Sequence, residues 1–182
     1  MNHRDPGEVT VQFATRRRLL VSAGLAAIPL SAIAAAGDDI SRAAESIHQE
    51  RVFRAGSNRI YDALTDARQF AKIVEISGAM QSMPAGTKAA EISREVGGAF
   101  TIFGGHIVGR QLELVPNHRI VQAWRVVDWK PGEYSIVRFE LTEQGSQTKI
   151  VFDHKGFPEG TAEHLASGWE EHYWGPLRKF LA

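Results

Sequence analysis

From Lys88 onward, apolar and polar positions alternate in short runs separated by turn-forming pairs, the period of two expected of half-buried strands. Ala89–Ser93, Ala99–Phe103, His106–Val115, Arg119–Val126, Tyr134–Leu141 and Thr148–His154 predict six strands. Gly97-Gly98, Gly104-Gly105, Pro116-Asn117, Pro131-Gly132 and Gln144-Gly145-Ser146 punctuate them as hairpin connections. An earlier alternating run, Ile47–Ala55, predicts a further strand. Between it and Lys88, Ser57 is placed to cap a short helix bearing Ile60, Tyr61 and Leu64. Asp66 is placed to cap another bearing Phe70 and Ile73. Glu75–Thr87 is rich in Gly, Ser, Met and Pro and reads as a mobile loop with Met80 and Met83 at its tip.

The period changes after His154. Leu165, Trp169, Tyr173, Leu177 and Phe180 recur about every four residues, which predicts one long helix over Thr161–Leu181. His164, Gly168 and His172 form the adjacent rib, where Gly168 leaves a notch for close approach to the sheet. Pro176 is expected to kink or loosen the last turn, because it lacks an amide donor. Trp174, a quarter-turn from Tyr173, is expected over an edge of the sheet. The order of strand, two small helices, six-stranded meander and long helix describes an α+β domain with its helices on one face of an antiparallel sheet.

Alternation also assigns faces. Ile150, Phe152 and His154 share the inward side of the last strand, and Ile120, Gln122, Trp124 and Val126 that of Arg119–Val126. The partner strand His106–Val115 has two registers. Two-residue turns at both ends put Gln111 and Glu113 inward, with Gly109 opposite Trp124; a three-residue second turn puts Arg110, Leu112 and Leu114 inward. A slip of one residue turns every side chain over, so Arg110 and Glu113 stay unassigned.

The 182 residues suffice for one domain with a sizeable core, and 43% hydrophobic with 23% charged residues is an ordinary folded composition. Lys+Arg and Asp+Glu balance at 21 each, so neither nucleic acid nor an anionic membrane surface is an expected partner. With no cysteine, disulfides, thiolate metal sites and cysteine nucleophiles are excluded. At the N-terminus, Arg16-Arg17-Arg18-Leu19-Leu20 opens an apolar run to about Ile33, followed by Ala-x-Ala triplets ending at Ala34 and Ala36. Residues 1–36 therefore read as a cleavable export signal of twin-arginine type, and 37–45 as a short linker. Residues 46–182 form the folded domain. Export places that domain in the periplasm or beyond, with 17 basic and 19 acidic side chains once residues 1–36 are removed.

Three blocks carry a family resemblance: Val96-Gly97-Gly98-Ala99-Phe100, the hairpin from Gly109-Arg110 to Trp124-Arg125, and His154 through Trp169. With the element order, they resemble the SRPBCC (START-like, helix-grip) superfamily over residues 45–182. Within it, they resemble the branch named for the activator of the 90-kDa heat-shock-protein ATPase. The resemblance implies a curved antiparallel sheet of about seven strands, two short helices and a long C-terminal helix closing a cavity. It also implies lipids, hormones or polyketides as cavity contents and, in some members, catalysis. An exported protein would not meet a cytoplasmic ATPase, so the branch name fits poorly as a role.

For such a cavity, Phe100, Trp124, Trp169 and Tyr173 are the candidate apolar contacts, and Gln122, His154 and His172 the candidate polar ones. His154 and His172 are also the candidate general bases, since imidazole titrates near neutrality. The bland alternatives are core packing for the aromatics and, for His154, a bond to a carbonyl of the Gly156-Phe157-Pro158 turn. His164 and His172 stand about 12 Å apart along a helix and cannot share a metal ion. No nucleophile elbow, phosphate loop, carboxylate pair or cofactor motif is present. Three functions stay open: an exported carrier of a small, largely apolar or amphipathic ligand, a cofactor-independent cyclase, dehydratase or hydrolase, and a ligand-free interaction or stress-response module. The protein is expected to be a monomer or weak dimer without stable membrane association.

Overall fold

The computed structural model describes residues 45–79 and 88–182. The residues read as an export signal, those read as a linker up to residue 44, and the expected Met80–Met83 loop tip lie outside the described residues. Strand β1 (Ser46–Phe53) leads into helices α1 (Ser57–Thr65) and α2 (Ala67–Ser77). Strands β2 (Glu91–Ile92), β3 (Ala99–Ile102), β4 (Ile107–Val115), β5 (Arg119–Val126), β6 (Ser135–Gln144) and β7 (Gln147–Lys155) follow. The chain closes with α3 (Ala162–Trp169), a π-helical turn (Glu170–Trp174) and α4 (Gly175–Leu181). All strands pair antiparallel in one seven-stranded sheet of order β1-β7-β6-β5-β4-β3-β2. This is the α+β helix-grip architecture expected: a meander whose first strand returns to pair with the last, under a C-terminal helical segment.

The two short helices are capped differently, one locally and one from a distant strand. Asp66 accepts from the Arg68 and Gln69 amides at the start of α2, as its position predicts. Ser57 does not cap α1. Gly56 holds that position, and Glu143 at the end of β6 accepts from both the Ser57 amide and hydroxyl. Those bonds hold the Glu143 carboxyl below its usual pKa. Helix α2 continues through Glu75–Ser77, where the sequence predicts loop, and stops at Gly78, whose left-handed conformation ends it.

The register of β4 takes neither of the two predicted forms whole. Gly109 pairs with Trp124 and Gln111 with Gln122, but Glu113 pairs with Val121 and Leu114 with Ile120. Leu112 is the extra residue of a β-bulge, 45% exposed. The bulge turns Gln111 inward before it and Leu114 toward the core after it, and leaves Glu113 to pair with Arg119 on the outer face. Gly109 is required where it stands: a Cβ there would lie 2.1 Å from the Ala123 carbonyl oxygen and 2.3 Å from the Phe100 ring.

The terminal helix is likewise not one regular helix. The π turn inserts its wide turn just before Pro176, whose missing amide is absorbed at the start of α4 instead of kinking the last turn. The inserted residue brings both Tyr173 and Trp174 inward, and Trp174 is fully buried rather than laid on a sheet edge. Gly168 makes no close approach; a Cβ there would meet open space.

Candidate functional site

Alternation on β5, β6 and β7 sends Trp124, Ser135 and His154 to one region of the inner face, and the last turn of α3 lowers Trp169 onto them. His154 is wholly buried and uses both ring nitrogens. Its Nδ1 accepts from the Trp169 indole N–H at 3.1 Å, and its Nε2 lies 2.7 Å from the Ser135 hydroxyl. An indole can only donate, so the imidazole is the neutral tautomer with its proton on Nε2. That proton goes to Ser135 Oγ, and the Ser135 proton goes on to the Trp124 carbonyl at 3.0 Å. The result is a directed relay, Trp169 to His154 to Ser135 to a main-chain carbonyl, with every donor matched. No carbonyl of the Gly-Phe-Pro turn takes part; Phe157 contributes only a ring edge, 4.9 Å from His154.

The Ser135–His154 distance alone resembles a nucleophile and its base. The tautomer forbids that chemistry. A general base must present a lone pair to the hydroxyl, whereas here Nε2 presents a proton. Burial also drives the His154 pKa down to about 3, so the ring stays neutral across the physiological range.

The other candidates separate into groups. Trp124, Trp169 and Tyr173 join His154 in a continuous aromatic stack, with centroids 5.8 Å apart for Trp124–Trp169 and 4.1 Å for Trp169–Tyr173. Phe139, Phe152 and Trp174 fill the space behind Trp169, Phe152 at 4.4 Å from it. Phe100, Gln122 and Tyr173 line a small pocket between the sheet and α2, of about 10 Å³, room for one water. Gln122 donates to Gln111 Oε1, and Gln111 donates to the Ser93 carbonyl, so these inward amides satisfy each other. Burial pushes the Tyr173 phenol well above its usual pKa, opposed in part by the Trp124 indole. That indole N–H faces the phenol without forming a well-made hydrogen bond. His172 stands apart, half-buried against the Phe103 ring at 6.0 Å, with Nδ1 unpartnered.

Between sheet and helix, then, the described residues form a packed aromatic interior. Ser135 and Phe139 are members sequence reasoning passed over; Phe152 and, in one register, Gln111 were placed inward without a role in the site, and Trp174 was expected over a sheet edge. For Ser135 the signal was present, since it leads the inward series Val137, Phe139, Leu141. Among the described residues, no group of three metal-ligating side chains comes together, and no helix is long and apolar enough to cross a membrane.

The family model described as activator of Hsp90 ATPase homolog 1-like protein matches residues 54–182. The chain belongs to this family. A curated relative, the activator of 90 kDa heat shock protein ATPase homolog 2 of Mus musculus, is 30% identical over 92 residues, 50% of this chain and 28% of its own length. The chain thus spans little more than a quarter of that relative. Among solved structures, an HSP90 activator from Plasmodium falciparum matches with TM-score 0.64 and 26% identity, over 75% of this chain and 95% of that one. The Aha1 dimer from Colwellia psychrerythraea matches with TM-score 0.60 over 75% and 96% of the two chains; at 20% identity it speaks for the fold alone. The family resemblance of the three sequence blocks and the helix-grip fold they implied are both borne out.

Proposed function

We propose that this family member is an interaction module: it acts through its surface on a protein partner, and its interior is a scaffold. The observation that carries this is the packed space under the C-terminal helix. Trp124, Phe139, Phe152, Trp169 and Trp174 occupy the volume a guest would need, and the small pocket beside them, lined by Phe100, Gln122 and Tyr173, admits one water. Two of the three polar groups expected to orient a ligand are already committed: His154 accepts from Trp169 and donates to Ser135, and Gln122 donates to Gln111. Relatives named for activating a heat-shock ATPase support a protein counterpart. The twin-arginine pattern of residues 1–36 supports export to the periplasm. Export would put a cytoplasmic ATPase out of reach, so the partner is proposed by class only.

A second function, a small apolar or amphipathic ligand held between sheet and helix, is favoured by Trp124 Nε1, left unpartnered there, and by His172 Nδ1, unpartnered where the ring lies against Phe103. Phe100, Gln122, Trp124, His154, Trp169, His172 and Tyr173 would contact it, and the helix would have to lift to admit it. Native mass spectrometry of the protein from its own cells decides between the two. The interaction module is expected to fly at its bare mass, without a stoichiometric small molecule. A bound compound released on denaturation would replace the module with a carrier. Export is tested separately: a reporter fused after residue 45 should leave the cytoplasm, and should stay there when Arg16 and Arg17 become Lys.

A further inference from the structure

The outer face of the sheet divides into two halves of different character. On one half the charges neutralise one another. Asp153 takes both His48 and Arg138, Glu140 takes Arg119 and lies near Arg138, Glu113 takes Arg119, and Glu50 takes Lys149. On the other half, pairing lays one row across four strands: Arg110 opposite Ala123, Ala123 opposite Ile136, Ile136 opposite Lys155. Ile136 is 44% exposed at the centre of that row, and beside it Tyr134 is 53% exposed.

The cations of this half have no carboxylate partner among the described residues. Arg110 donates to the Gly97 carbonyl, and Arg125, two residues beyond Ala123 on the same strand, donates to the Val127 and Trp129 carbonyls. Lys155 favours the ionisation of Asp153 from a distance but forms no ion pair. Backbone carbonyls hold the two guanidinium groups in place without cancelling their charge. A protein that pairs its surface charges so thoroughly on one half, and leaves two ends of an apolar row positive on the other, presents a complementary template. The ends, three strand spacings apart, lie about 14 Å from one another.

We propose that this row, Arg110–Ala123–Ile136–Lys155, docks an acidic segment of a protein partner that sets an apolar side chain between two carboxylates. Ile136 and Tyr134 bury the apolar group, and Arg110 and Lys155 meet the flanking acids. This rests on the interaction-module function and specifies its surface and the chemistry of its partner.

The test is an NMR titration of the full 182-residue chain with a short peptide alternating glutamate and leucine. Peptides carrying lysine for glutamate, or serine for leucine, serve as comparisons. Expected are shifts of the Ala123, Ile136 and Lys155 amides, weakened by added salt. Either Arg110→Glu or Lys155→Glu should weaken binding about fivefold or more, and Ile136→Ser should abolish it. All three positions are exposed, so unchanged far-shifted methyl resonances will certify the fold of each variant. Arg178→Glu, on the terminal helix, should leave binding unchanged. The proposal is overturned if the lysine peptide binds equally well. It also falls if the shifts gather around Phe53 and Leu181, or if the row proves to be covered by a second copy in sedimentation. Crosslinking to a partner through some other face would overturn the docking row yet leave the interaction module standing; a stoichiometric small molecule would remove the module itself.

Discussion

Replacing His154 by Gln tests the central polar element of the interior. The side chain is wholly buried, accepts from Trp169 and donates to Ser135. Glutamine can also accept and donate, but it does not titrate. In the unfolded chain the imidazole has its ordinary pKa near 6.5, and in the folded chain burial lowers it to about 3. Between those values the unfolded chain binds a proton that the native protein refuses, so stability is fully present above the unfolded pKa and is lost as pH falls toward 3. The slope is about 1.4 kcal/mol per pH unit, which amounts to roughly 2 kcal/mol between pH 7 and pH 5. Urea unfolding followed by tryptophan fluorescence at several pH values measures it. At pH 7 the His154→Gln variant should be less stable by about 1–3 kcal/mol, the cost of imperfect buried hydrogen bonds. On acidification it should lose less than the wild type, by those 2 kcal/mol, so that the two profiles converge. Asp153 and Glu143, also held below their usual values, add acid sensitivity to both proteins and cancel in the difference. Parallel profiles would refute the buried neutral tautomer and return His154 to the candidates for acid–base chemistry.

Trp169→Ala should cost about 3–5 kcal/mol and open a cavity against Phe152 and Tyr173; a thermal shift with indole or benzene should then appear that the wild type lacks. Gly109→Ala should destabilise by about 3 kcal/mol or more, since its Cβ would press on the Ala123 carbonyl; a urea midpoint equal to that of the wild type would show that β4 can move away. Glu143→Gln should lower the urea midpoint at neutral pH by weakening the cap on Ser57. That difference should fade as pH drops through the carboxylate range, because the lowered Glu143 pKa makes the contribution one of the ionised form.

The sheet was legible because each strand is bounded by turn residues and alternates cleanly; β5 and β7 hold the faces their patterns predicted. What alternation does not encode is an interruption of its own period. Leu112 looks like a fault in either register, and only the pairing of Gln111 and Leu114 on the two sides of it reveals one extra residue. The same holds for Tyr173 and Trp174: a fixed helical period cannot turn both inward, and the π turn that does so has no compositional mark beyond the nearby Pro176. The aromatic cluster was foreseen as cavity lining. Sequence counts aromatic side chains on a face but not the gap between sheet and helix, and here that gap is closed by contributions from β6, β7 and the π turn at once. His154 was correctly aimed inward; its partners were missed because Ser135 and Trp169 lie 19 and 15 residues away in the chain.

The C-terminal helical segment is fastened at both ends by side chains from the beginning of the domain. Glu45, just before β1, accepts from the Gly160 and Ala162 amides at its start, and Arg59 on α1 donates to the Phe180 and Leu181 carbonyls at its end. During synthesis, the sheet's apolar inner face must therefore wait until the C-terminal helical segment of the domain has been translated. Closure couples the earliest and latest elements in a single step, so folding should be slow, cooperative and dominated by long loop closure. A nascent chain halted before Trp169 would carry its strands with an open, adhesive face, and would be a substrate for chaperones rather than a partially working module.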